Sequence, residues 1–305
     1  MLRLIVMMAV VSVSMLGSVA AQNTTISSFS KAKDHLWDIF AAHPKSFYCG
    51  CDFDRTGPDW ASCQFQAKKD RKRASRIEWE HVVPASVFGR QLEAWERGDR
   101  QCVSRAGKSY KGRKCAEKVS QSFRLMQADM YNLQPAIGEV NGLRSNYPYG
   151  EIAGEVRDFG ACDIEISGKR AEPSEFIRGD IARTYFYMQT AYPDFAIVNQ
   201  TNRAQMEAWN KADPVDAWEC ERNERVRQIQ KSRNPILDRA CAEPAAATSG
   251  SDAATEVSLP VPASPSATAL PAAKPAAKPA APRQPQQHYE TQSGAWGDQQ
   301  IKDNF

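Results

Sequence analysis

Across 305 residues, 39 Lys and Arg face 36 Asp and Glu, a net charge of +3, with 42% hydrophobic residues. So mild a charge excludes a protein that coats a polyanion by bulk attraction alone. Beyond residue 21 no apolar stretch approaches the roughly 20 residues of a bilayer span, so the mature protein is expected to have no membrane span.

The first 21 residues read as a signal peptide. Arg3 precedes an apolar run from Leu4 to Leu16, and Ser18-Val19-Ala20 and Val19-Ala20-Ala21 both offer small residues at a cut site. Residues 22–242 have the composition of one globular body, long enough for a single sizeable core. Residues 243–305 are dominated by Ala, Pro and Ser, with Pro-Ala-Ala-Lys repeating at Pro271 and Pro275. Such a segment has little apolar surface to bury and is expected to be a disordered tail.

Within the body, residues 30–42 read as a short helix and residues 77–83 as a strand. Residues 117–131 read as a helix with Val119, Phe123, Met126 and Met130 on one side. Pro135 is expected to open another, running through Asn141. Residues 181–192, 201–212 and 216–229 complete a helix-rich α+β set. Met126, Met130 and the Tyr185-Phe186-Tyr187 run are expected in the core.

The eight cysteines, Cys49, Cys51, Cys63, Cys102, Cys115, Cys162, Cys220 and Cys241, all lie between the leader and the tail. In an exported chain an even count reads as a disulfide framework. Cys49-Gly50-Cys51 lacks the second knuckle that a structural zinc site uses. Connectivity is open, with Cys102 and Cys115 the favoured local pair across a polar, Gly-containing loop.

Two basic clusters stand out: Lys68, Lys69, Arg71, Lys72, Arg73 and Arg76, and then Lys108, Lys111, Arg113, Lys114 and Lys118. The first runs directly into Arg76-Ile77-Glu78-Trp79-Glu80-His81-Val82-Val83-Pro84-Ala85. About fifty residues later comes Asp129-Met130-Tyr131-Asn132-Leu133-Gln134-Pro135-Ala136-Ile137-Gly138-Glu139-Val140-Asn141. Carboxylate, imidazole, carboxamide and guanidinium are the groups that phosphodiester hydrolysis calls for. An imidazole near its working pKa takes the water proton. Carboxylate and amide oxygens suit a hard dication, and a guanidinium carries phosphate charge. His35 and His43 look structural or exposed.

The two motifs resemble the endonuclease I family, the secreted or periplasmic nucleases of the ββα-metal (His-Me finger) superfamily, from about Phe47 to Cys241. The resemblance implies a mostly helical, disulfide-stabilised α+β body built around that motif. It implies His81 as general base, and Glu80 and Asn132 as protein ligands of one Mg²⁺-like ion, a site that Mn²⁺ or Ca²⁺ could also occupy. It further implies a phosphate-stabilising arginine, for which Arg113 is favoured and Arg100 is the rival. Glu78 competes with Glu80, and Glu139 stands behind Asn132. The roles of Asn141, Arg144 and Asn146 are left open. The expected activity is hydrolysis of double- and single-stranded DNA, and of RNA, through backbone contacts, leaving 5′-phosphate ends, by a monomer. The alternative is a non-catalytic extracellular nucleic-acid-binding protein. A zinc hydrolase would want a His-Glu-x-x-His helix, which the chain lacks.

Overall fold

The computed structural model describes residues 21–154 and 157–242. The leader before residue 21 and the tail after residue 242 lie outside the described residues. Helix α1 (Phe29–Ile39) opens on Ser28, whose hydroxyl accepts from the Lys31 amide, and buries Ala32, Leu36 and Ile39. A small hairpin follows, β1 (Phe53–Asp54) with β2 (Gly57–Pro58), then the one-turn helix α2 (Arg71–Ala74). Strand β3 (Ile77–His81) leads to α3 (Ala85–Gly89) and α4 (Glu93–Glu96). Next come α5 (Arg113–Val119), α6 (Gln121–Gln127), β4 (Leu133–Ile137) and α7 (Gly138–Arg144). The C-terminal half adds the hairpin β5 (Ile164–Ser167) with β6 (Arg170–Pro173), then α8 (Arg178–Ala191), α9 (Gln200–Ala212), α10 (Ala217–Gln230) and α11 (Pro235–Ala242).

The centre is β3 paired antiparallel to β4 in a two-stranded sheet, with His81 opposite Leu133 and Glu80 opposite Gln134. Helix α7 continues directly from β4. This is a ββα unit whose two strands lie fifty residues apart in sequence. Its apolar side chains join a continuous core with Leu36, Phe40, Phe88, Phe123, Met126, Met130 and Tyr187. Tyr185 is buried there too, while Phe186 packs on its margin.

Two sequence expectations need correction. Pro135 sits in the middle of a strand and does not open a helix, which starts only at Gly138. A two-stranded sheet leaves each strand one edge free of ladder bonds, where a residue without N–H does no harm. On that side Pro135 supplies only its carbonyl, which accepts from the Phe47 amide at 2.7 Å. The helix expected over 117–131 is two helices, because Ser120 is extended and its hydroxyl caps α6 by accepting from the Phe123 amide. Ser and Thr favour such caps over helix interiors.

All eight cysteines are paired: Cys49–Cys162, Cys51–Cys63, Cys102–Cys115 and Cys220–Cys241. The expected local pair is among them. Among the described residues, no helix is long and apolar enough to cross a membrane.

Candidate active site

A cavity of about 380 Å³ runs along β3, lined by every residue from Arg76 to His81. Phe29 and Lys33 from α1, Arg113 from α5, Asn141 from α7, and Ser145 and Asn146 just beyond it close the walls. Both carboxylates of β3, its histidine and Arg113 therefore meet in one place, although α5 lies more than thirty residues from β3 in sequence.

His81 is the last residue of β3 and is 8% exposed. Its Nε2 lies 2.8 Å from the Gln127 carbonyl. A carbonyl can only accept, so Nε2 carries the proton and Nδ1 has the free lone pair. The ring packs on Phe29, with centroids 4.9 Å apart. Burial first, and then the nearby Arg113 cation, push its pKa down to about 3, so the imidazole is neutral at neutral pH.

Glu80 is 3% exposed. Its Oε1 accepts from the Tyr48 hydroxyl at 2.7 Å and from Arg144 Nη1 at 2.6 Å. Arg144 is wholly buried and also donates to the carbonyls of His81 and Val82, so one guanidinium fixes the end of β3 and its carboxylate together. Its guanidinium lies 4.2 Å from the Tyr149 ring centroid, and Tyr149 in turn bonds the Tyr48 hydroxyl at 2.6 Å. Burial raises the Glu80 pKa against the pull of Arg144 and Tyr48. A buried guanidinium at 2.6 Å has its natural partner in the ionised carboxylate. With Oε1 doubly engaged, Oε2 is the oxygen left for a ligand.

Glu78 is held differently. Arg73 grips it through Nε and Nη2, Arg76 donates to Oε1 through two nitrogens, and Asn141 Nδ2 donates to Oε2 at 2.8 Å. Arg73 reaches this position because α7 presents glycine to it. A Cβ on Gly142 would lie 2.1 Å from Arg73 Nη1, and one on Gly138 2.4 Å from the Arg73 carbonyl. With its nitrogen committed to Glu78, Asn141 keeps Oδ1 as its acceptor.

Asn132 is elsewhere. It is 0% exposed and is not part of the cavity wall. Its Oδ1 accepts from the Val83 amide at 2.7 Å and its Nδ2 donates to the Val83 carbonyl at 3.0 Å. The side chain thus prolongs the β3–β4 ladder past its last backbone pair. Glu139 is also spoken for. Buried, it accepts from the amides of Lys68, Lys69 and Asp70, and so anchors the first basic cluster to α7.

Of the two arginine candidates, Arg113 stands on the cavity wall, 8% exposed, its guanidinium 5.5 Å from the Phe29 ring centroid. Arg100 is exposed in a turn and does not line the cavity. His35 and His43 do not line it either, and His43 stacks on Trp218 at 4.5 Å.

Three disulfides bear on this geometry. Tyr48 directly precedes Cys49, and Cys49 and Cys51 are tied to Cys162 and Cys63. Arg113 stands two residues before Cys115, which is tied to Cys102.

A carboxylate oxygen and an amide oxygen on one wall are hard donors that suit a dication such as Mg²⁺. Among the described residues, no three His, Cys, Asp or Glu side chains converge to hold an ion unaided. An ion here would draw most of its shell from water and substrate.

An antiparallel strand pair bearing Glu-His, followed by a short helix bearing Asn, thus frames a cavity lined by Lys33, Arg76, Arg90 and Arg113. The endonuclease I family model matches residues 17–241, and the chain belongs to that family. An extracellular deoxyribonuclease of Aeromonas hydrophila is 40% identical over 235 residues, 75% of this chain and 95% of that protein. A periplasmic deoxyribonuclease of the same organism is 39% identical, over 75% of this chain and 92% of its own length. Endonuclease-1 of Buchnera aphidicola subsp. Acyrthosiphon pisum is 40% identical over 223 residues, 71% and 83% of the two chains. The chain is an exported nuclease.

Proposed function

We propose that this nuclease hydrolyses DNA, and RNA as well, by a single-ion mechanism in which His81 is the general base. The observation that carries the reading is the bond from His81 Nε2 to the Gln127 carbonyl at 2.8 Å, which leaves Nδ1 of a neutral imidazole to accept a proton.

His81 Nδ1 removes a proton from a water that attacks phosphorus. The P–O3′ bond breaks, the departing O3′ takes a proton from solvent water, and the products are a 5′-phosphate and a 3′-hydroxyl. Arg113 meets the charge that builds on the non-bridging oxygens. Glu80 Oε2 and Asn141 Oδ1 are the atoms that would hold a divalent ion, which when bound neutralises phosphate charge and stabilises the departing O3′. We take Asn141 as the second ligand, in preference to the expected Asn132, and the support for that choice is that Asn141 lines the cavity. Arg76, Arg90 and Lys33 on the rim address the phosphate backbone that DNA and RNA share, which supports low sequence selectivity.

The test is cleavage of supercoiled DNA and of single-stranded RNA by the mature protein, by His81→Ala, and by wild type in EDTA. Wild type should cut both. His81→Ala and EDTA-treated wild type should cut neither, while His81→Ala still shifts DNA on a gel. Undiminished cleavage by His81→Ala would overturn the assignment of the base.

A further inference from the structure

The wall that holds the proposed ion site is itself cationic. Lys33, Arg76, Arg90 and Arg113 line the cavity, and Arg73 and Arg144 are bonded to its two carboxylates, Glu78 and Glu80. Glu80, the proposed anionic ligand, shares its charge with Arg144 at 2.6 Å in a fully buried pair. Glu78, on the same face of β3, is matched by two guanidinium groups. Asn141 brings no charge. A dication approaching the free protein therefore meets a carboxylate already neutralised, in a cleft whose walls repel it. A cleft with low-dielectric walls strengthens that repulsion.

We infer that this chain couples ion binding to phosphate binding: Glu80 and Asn141 hold a divalent ion weakly in the free protein and firmly once a phosphodiester lies against Arg113 and the rim cations. This rests on the reading that Glu80 and Asn141 are the ligands. The phosphate supplies the negative charge that Arg144 withdraws from Glu80, and its oxygens complete a shell that the described protein groups cannot fill. The same cations then favour the phosphate and oppose the lone ion. Because linkage is reciprocal, the ion tightens nucleic-acid binding by the same factor. An exported enzyme so built ignores dissolved divalent ions until substrate arrives.

The experiment measures Mn²⁺ affinity from the electron paramagnetic resonance of the free ion, at low ionic strength, on full-length mature His81→Ala protein. It is run with and without a short DNA duplex. His81→Ala/Asn141→Ala and His81→Ala/Glu80→Gln, checked for folding by circular dichroism, serve as blanks that carry the same Mn²⁺ background on DNA. The expected result is a Mn²⁺ Kd lowered about tenfold or more by the duplex, a typical size for strong coupling. Lys33→Gln, which removes a rim cation outside the ligand set, should tighten duplex-free Mn²⁺ binding several-fold. An equal Kd with and without duplex would overturn the coupling while leaving the ligand assignment intact. Mn²⁺ binding unchanged in both blanks would overturn the ligand assignment, and the coupling with it.

Discussion

On the proposed reading Asn141 is a ligand and Asn132 a structural clamp, and substituting each tells the two roles apart. Asn132→Ala removes both partners of Val83 inside the protein. Each buried backbone group left unpaired costs about 1–3 kcal/mol, so the variant should lose about 2–5 kcal/mol of stability. For a body of this size that lowers Tm by roughly 5–15 °C. Asn141→Ala removes one half-buried bond to a carboxylate that Arg73 and Arg76 still hold. The cost should be below about 1 kcal/mol, within roughly 3 °C of wild type. Activity should show the reverse order. Asn141→Ala should lose about 100-fold or more in kcat/KM and demand far more Mg²⁺, as expected when a site with two protein ligands loses one. Asn132→Ala, assayed well below its own Tm, should keep Mg²⁺ dependence close to wild type. Calorimetry and a Mg²⁺ titration of the cleavage rate on both variants decide it. A stable Asn132→Ala with an altered Mg²⁺ curve, beside an active Asn141→Ala, would refute the assignment and return the ligand to Asn132.

His81→Ala should lower turnover by about 10²–10⁴-fold, the usual loss of a general base, and retention of more than about a tenth of wild-type rate would be incompatible with that role. Arg113→Ala should cut kcat/KM far more than Arg100→Ala, since only Arg113 reaches the cavity; equal losses in steady-state cleavage would dissolve the distinction. Full reduction, confirmed by thiol counting, should inactivate the enzyme, because it frees the segments carrying Tyr48 and Arg113 and removes bridges worth about 2–5 kcal/mol each. Truncation after Ala242 should leave kcat/KM on long DNA and Tm nearly unchanged, on the expectation from composition that a segment dominated by Ala, Pro and Ser has little apolar surface to bury. A tenfold loss of activity would show that the tail belongs to the enzyme.

Legibility in the sequence followed locality. Residues 77–81 are β-branched and aromatic with charges interleaved, and they form the expected strand, with Glu80 and His81 at its end. The pair Cys102–Cys115 closes a short loop, so nearness along the chain suggested it. Strand β4 was hidden because Pro135 reads as the first residue of a helix. Its harmlessness depends on a two-stranded sheet, which is a tertiary fact. The same ambiguity explains the two asparagines. Both lie in one motif, and only the start of α7 at Gly138 shows that Asn141 turns toward the cavity while Asn132 turns back onto Val83. Arg144 carried no local signal at all. Its partners Tyr48, Glu80 and Tyr149 are spread over a hundred residues, and only folding brings them to one guanidinium.

The bridge between Cys49 and Cys162 spans 113 residues and ties down the loop that presents Tyr48 to Glu80. As an exported chain emerges N-terminus first, Cys49 and Cys51 appear together, followed by Cys63, long before Cys162. Oxidation in order of appearance would join Cys49 to one of those two neighbours and strand the rest. The native pattern requires Cys49 to wait, or a wrong bridge to be opened by thiolate attack and exchanged. Maturation of this nuclease should therefore depend on a disulfide isomerase as well as an oxidant, and the yield of active enzyme should report on the health of that exchange system.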